Sequence, residues 1–308
     1  MAQLIKLSDY ISRYESNIYQ YPSQYIRLKK QNWKKIHHLF MQGALEQSYG
    51  EAAAEEGPLE KKKLKKLFQR QKEEESGNRQ ASHQRERAQP QDIHELKQYF
   101  LNGLYPFQLK WASTTLRKKS FVDRVYYSDE RLMYYLQRFP DTYFVMYEPT
   151  VEIKKAKLEA NTILIGPLGI EIIHYLDMPM GTIVHPSNNH SWHIEQNGIG
   201  SKILNPLLAL RRTETYVKSV LQTYDLDFPY KKVVLAPELS FKEVQTPYMT
   251  EFIGREQYDT WFQKKRKDGS PLKHLQLKTA ESLLKHCHTS AIKRPEWDIE
   301  EESTYEEW

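Results

Sequence analysis

The chain has 308 residues, 39% hydrophobic and 28% charged, which allows one large domain with appendages or two small ones around a core diluted by solvated segments. Its one cysteine, Cys287, excludes an internal disulfide and a multi-cysteine zinc site and fits a reducing compartment. The net charge of +5 is unevenly placed: residues 296–308 carry seven acids and no Lys or Arg, leaving residues 1–295 at +12, a balance suited to meeting polyanions or to an ordinary basic protein with a solubilising tail.

The N-terminus has no apolar leader core, and no run of about 18 apolar residues occurs anywhere, so neither a signal peptide nor a membrane span is expected. The expectation is a cytoplasmic protein. Residues 1–48 read as an N-terminal helical hairpin. Ser8-Asp9 caps a first helix with Tyr10, Ile11, Tyr14 and Ile18 on one face, and Pro22-Ser23 opens a second helix to about Gln47. Residues 16–45 lack acids, and Arg27, Lys29, Lys30, Lys34 and Lys35 surround Trp33. Basic and aromatic residues so interleaved can bind phosphates and stack on bases, or can form a plain solvated face over a core tryptophan. The hairpin could also serve a protein partner.

Residues 49–92 hold few large apolar side chains (Leu59, Leu64, Leu67 and Phe68) among many charges, so they cannot offset their ordering entropy and read as a charged linker. Residues 93–290 read as a mixed α/β (α+β) domain, and residues 291–308 as an acidic tail. Within the domain the spacing predicts helix over 93–120, a strand over 121–127 and a helix over 128–139 capped by Ser128 or Asp129. It then predicts strands over 143–148 and 151–155. Residues 162–165 and 170–175 form a hairpin around Gly-Pro-Leu-Gly. A helix follows over 205–224 with Pro206 at its start, then a strand over 233–236 and helices over 258–267 and 275–288. His185, His190, His193 and Glu195 lie close in a loop-like, Asn/Ser-rich stretch with a weak metal-ligand spacing. Lys264, Lys265, Arg266 and Lys267 form a dense basic cluster at a helix end, where cations suit both the helix dipole and a phosphate.

Three blocks in order carry a resemblance: the hairpin ANTILIGPLGIEII, the run WHIEQNGIGSKILNPLLALRRTETYVKSVLQ, and the late strand VVLAP. Over residues 107–236 they resemble the NERD (nuclease-related) domain of bacteria. The resemblance implies a restriction-endonuclease-like sheet flanked by helices, in a bacterial protein. It also implies a metal site with an Asp at the start of the first hairpin strand, a Glu and a Lys two residues apart in the second, and a Glu in an early helix. In this chain those places hold Asn161, His174, Leu176 and Gln108, and Ala209 stands where the family has a Gln after Asn-Pro. Side chains two apart on a strand share a face, so the changed positions converge.

Mg²⁺ wants hard anionic oxygens. Asn161 offers one neutral carbonyl, His174 offers a nitrogen better suited to Zn or Mn, and Leu176 offers nothing. Glu171 and Asp177 fall on the opposite face, and Glu148 or Glu152 could approach from a neighbouring strand. The expectation is a catalytically inactive nuclease-like scaffold without cofactor that acts as a binding module, with nucleic acid among its partners. Two alternatives stay open. One is an active nuclease using a divalent metal at a migrated site of His174, Asn161 and an acid; the other is a protein–protein interaction factor.

Overall fold

The structure, a computed structural model, describes residues 1–43, 45, 90–153, 156–242 and 245–294. Most of the expected linker and of the acidic tail therefore lies outside the described residues. In chain order the elements are β1 (Gln3–Leu7), α1 (Arg13–Ser16), α2 (Tyr21–Met41), α3 (Ile93–Trp111), β2 (Lys118–Lys119), α4 (Glu130–Arg138), β3 (Phe144–Tyr147), β4 (Thr150–Ile153) and β5 (Ala156–Glu159). They continue with β6 (Thr162–Gly166), β7 (Gly169–Tyr175), β8 (Ile183–His185), β9 (Ser191–Gln196), β10 (Ile199–Leu204), α5 (Leu207–Thr223) and β11 (Tyr230–Leu235). The last are β12 (Ser240–Phe241), β13 (Thr250–Ile253), α6 (Arg255–Arg266), α7 (His274–Lys285) and β14 (Ile292–Lys293). The chain is a mixed α+β protein.

It divides into two compact units, Met1–Gln24 with Gln108–Trp308, and Tyr25–Phe107. The described residues of the smaller unit form a helix pair from α2 and α3. Tyr25 stacks on Phe107 and Trp33 packs on Phe100 with ring centroids 5.2 Å apart, over buried Ile36, Leu96 and Leu104. The partner of the second expected N-terminal helix is thus α3, and the described residues among 1–48 pair no two helices as a hairpin. Residues 3–7 form a strand instead, and the first expected helix shrinks to the one turn of α1, capped by Ser12. All five residues of β1 are buried, a burden that an amphipathic surface helix could not place. Lys6 tolerates complete burial because its ammonium donates to Tyr10 O, Glu15 Oε1 and Thr289 Oγ1.

The larger unit is built on a six-stranded sheet in the order β1-β3-β6-β7-β11-β13. The pairs β1–β3, β7–β11 and β11–β13 are parallel, while β6 runs antiparallel to both β3 and β7. The Gly-Pro-Leu-Gly turn joins β6 to β7 as expected, and both glycines answer to packing. A Cβ on Gly166 would lie 2.6 Å from the Tyr143 ring, and one on Gly169 2.8 Å from Pro229 O. α4 begins where Asp129 Oδ1 accepts from Leu132 N, so Asp129 is the cap, and α5 starts at Pro206.

Further expectations change: the helix expected to residue 120 ends at Trp111, and β2 follows it. Residues 121–127 make no strand; Arg124–Tyr127 is a 3₁₀ turn whose Asp123 side chain accepts from Val125 N, a local bond that competes with extended backbone. β4 pairs with β5, with a bridge from Val151 to Cys287, and lies outside the main sheet. The Asn/Ser-rich stretch around His185–Glu195 is largely strand, because β8, β9, β10 and β12 form a second sheet over buried Val184, Trp192 and Ile194.

Candidate functional site

Because β6 runs against its neighbours, its first residues meet the last residues of β3 and β7 at one edge of the sheet. Residues there follow the carboxyl ends of parallel strands, where open α/β sheets commonly take ligands. Thr162 pairs with Ile173, so Asn161 and His174 come next in register and share a face. Of the changed positions, these two meet, while Leu176 follows the end of β7. His174 Nδ1 donates to Asn161 Oδ1 at 2.8 Å, and Asn161 Nδ2 donates to Thr213 Oγ1 at 3.1 Å. Asn161 N also donates to Thr213 Oγ1, whose hydroxyl donates to Ala209 O on α5.

These roles follow from chemistry. An amide oxygen only accepts, so His174 carries its proton on Nδ1 and leaves Nε2 as a free lone pair in the neutral ring. Burial, helped by the Arg131 charge, pulls the His174 pKa below its ordinary value, so the neutral ring is the native form. Thr213 is the member that the sequence reading missed; a hydroxyl on the buried face of a helix was its signal.

The acids that could rescue a metal site are accounted for one by one. Glu171 faces away from His174 and is 6% exposed. Its Oε1 meets Lys265 Nζ at 2.5 Å and Lys231 Nζ at 3.0 Å, and Lys231 also pairs with Glu251. Asp177 reaches Arg131 at 2.9 Å. Glu152 lies in β4, outside the main sheet. Glu148 follows β3 at the same edge with left-handed backbone (φ 44°), and burial raises the pKa of its carboxyl. Ser8, which follows β1, is also left-handed (φ 45°). Strain of this kind gathers at sites of ligand contact and at tight strand exits alike. Among the described residues, no group of three or more His, Cys, Asp or Glu side chains is placed to hold a metal ion.

Two of the carried-over positions prove structural. Gln108 is 1% exposed; its Oε1 accepts from Leu4 N at 2.7 Å and its Nε2 donates to Ala2 O at 2.8 Å. It staples β1 to α3 with bonds that need one acceptor and one donor. Asn205, the matched residue of Asn-Pro, precedes the cap residue Pro206 of α5; its Oδ1 accepts from Leu207 N and its Nδ2 donates to Ser187 O and Asn189 O. Trp192 Nε1 donates to the same Ser187 carbonyl, so the Trp and Asn-Pro blocks of the resemblance form one joint.

The predicted basic clusters are placed as follows. On α2, Arg27, Lys30, Lys34 and Lys35 are exposed and Lys29 is half-buried. Trp33 is half-buried against Phe100 and His37, so it is part of the helix-pair core rather than a free stacking platform. On α6, Lys264, Arg266 and Lys267 are exposed, but Lys265 turns inward to Glu171 and lies over the Trp261 ring, 4.8 Å from its centroid. The reason is helical spacing: in the run of four cations, Lys265 falls on the face that carries Trp261, four residues before it. Lys265 is therefore withdrawn from the cluster. His185 and His193 sit opposite each other on β8 and β9 with ring centroids 5.8 Å apart. No helix among the described residues is long and apolar enough to cross a membrane.

No protein-family profile matches the chain, and no solved structure does. Among curated proteins, a segment of 35 residues is 54% identical to part of an RNA 2',3'-cyclic phosphodiesterase of Geobacillus stearothermophilus, covering 11% of this chain and 11% of that protein.

Proposed function

We propose that the protein is a NERD-like scaffold that binds nucleic acid and does not cut it. The observation that carries this reading is the closed chain His174–Asn161–Thr213. At the edge where the resemblance puts an acid pair and a lysine, three neutral side chains satisfy one another, and Leu176 completes the set without charge. Phosphodiester cleavage needs a group that holds or replaces a cation and one that activates water. His174 alone retains a basic lone pair.

A second reading is a nuclease with a migrated site, favoured by Glu148, whose half-buried carboxyl and left-handed backbone stand at the same edge. One experiment separates them. The full chain is incubated with labelled single- and double-stranded DNA and RNA oligonucleotides, with Mg²⁺, Mn²⁺ or Zn²⁺. RNA is included because the curated relative's name refers to RNA. The expected result is salt-sensitive binding without cleavage. Metal-dependent cleavage that disappears in His174→Ala and in Glu148→Gln would overturn the scaffold reading in favour of the second.

A further inference from the structure

Neither basic cluster singled out in the sequence combines free charge with exposed rings. Another surface of the larger unit does. β2 and β14 form a two-stranded ribbon in which Lys119 pairs with Ile292 and Lys118 with Lys293, and Arg294 N donates to Arg117 O. Arg117, Lys118 and Lys293 are exposed. Ser120 Oγ donates to Ser290 O and accepts from Ile11 N, and Asp123 N donates to Tyr10 Oη, so the chain after the ribbon is fixed to the body of the unit.

That fixed segment presents Phe121, 71% exposed, with Lys119 Nζ 5.3 Å from its ring centroid. Arg124 follows, and Tyr127 is 54% exposed at the end of the 3₁₀ turn. A phenyl ring exposed to this degree beside consecutive cations buries nothing of the core. Bases stack on the faces of such rings whatever their sequence, while flanking cations follow the backbone.

We propose that this ribbon and the segment after it are a binding surface for single-stranded nucleic acid. Phe121 is the stacking platform, and Arg117, Lys118 and Lys119 meet the phosphates. The inference deepens the nucleic-acid reading and rests on it. A single strand is the form that fits, because a duplex keeps its base faces covered and offers a lone ring no partner.

The test measures fluorescence anisotropy of a labelled oligo(dT) and an oligo(U) with the full chain across a salt series, beside a blunt duplex of the same length. The expected result is single-strand affinity that exceeds duplex affinity. Phe121→Ala, at a position exposed enough to leave the fold intact, weakens it roughly 5- to 100-fold, the loss of one stacked base. Arg117→Gln with Lys118→Gln and Lys119→Gln lowers the slope of log affinity against log salt by about 2, at roughly 0.7 per lost phosphate contact. If the parent binds and both variants bind as it does, the surface is wrong while the nucleic-acid reading survives. If the parent binds nothing even at low salt, both fail. If the acidic residues 296–308 fill this surface instead, Glu300→Gln with Glu301→Gln and Glu302→Gln binds the oligonucleotide and the parent does not. That result overturns the proposal for the native chain.

Discussion

Gln108→Glu places at the α3 position the acid that the resemblance associates with it, and its effect follows from two hydrogen bonds. The native amide accepts from Leu4 N at 2.7 Å and donates to Ala2 O at 2.8 Å, in a site that is 1% exposed. A protonated carboxyl can make both bonds; a carboxylate can make only the first and would face the Ala2 carbonyl with a negative charge. The folded state therefore holds the proton that the unfolded chain releases near pH 4.3. A folded pKa above the unfolded one means that stability is present below about pH 4.3 and is lost as pH rises, by about 1.4 kcal/mol per unit until the folded pKa is passed. Between pH 4.5 and 7 the variant should lose up to about 3 kcal/mol against the parent, a large share of a domain stability of about 5–15 kcal/mol. Urea unfolding of parent and variant at several pH values reads this directly. Gln108→Met, which removes both bonds without adding a titrating group, should destabilise by about 1–3 kcal/mol independently of pH. A Gln108→Glu penalty that does not grow with pH would refute the staple and leave the residue open to another role.

Other outcomes follow from the same geometry. Thr213→Val removes the acceptor shared by Asn161 N and Nδ2 at nearly constant volume, so thermal unfolding should show a loss of about 1–3 kcal/mol. Glu171→Gln strands the largely buried Lys265, whose pKa burial already lowers against the pull of Glu171. Denaturant melts should show a loss of about 3 kcal/mol, much of it recovered when Lys265→Met is added. His174, with its folded pKa below 6.5, contributes stability that is present above that value and lost as pH falls through the folded pKa. NMR titration should find its midpoint below 6.5 with the proton on Nδ1, and a midpoint above 6.5 would contradict the buried neutral ring. If the proposed resemblance is right, Asn161→Asp, His174→Glu and Leu176→Lys together create Mn²⁺ affinity detectable by calorimetry; a folded variant that binds no metal would count against it.

Local signals reached some of these residues and not others. The Gly-Pro-Leu-Gly hairpin was legible because two glycines and the apolar runs beside them act within a dozen residues. The facing of Asn161 and His174 rested on the register of that hairpin, which pairs Thr162 with Ile173. α4 and α5 were legible from an Asp cap and an Asn-Pro start. β1 was not: its apolar residues fit a helix or a strand equally, and the choice rested on distant partners, the strand β3 with which it pairs and Gln108, which lies 104 residues from Leu4. β8, β9 and β10 were hidden by the polar loop residues between them, because a small second sheet over Trp192 outweighs weak propensity.

The sequence by itself determined the mixed α+β class, the Gly-Pro-Leu-Gly hairpin, and the surplus of positive charge over residues 1–295. Each of these is written in side-chain identity or in contacts between near neighbours. Only the tertiary structure decided which charges stay outside. Lys265 and Lys6 go inward because Glu171 and Glu15 wait there from elements 94 and 9 residues away. Phe121 stays outside because Asp123 and the β2–β14 ribbon hold its segment off the core. Burial is a property of where distant elements meet, and a charge run alone cannot say which of its members will face water.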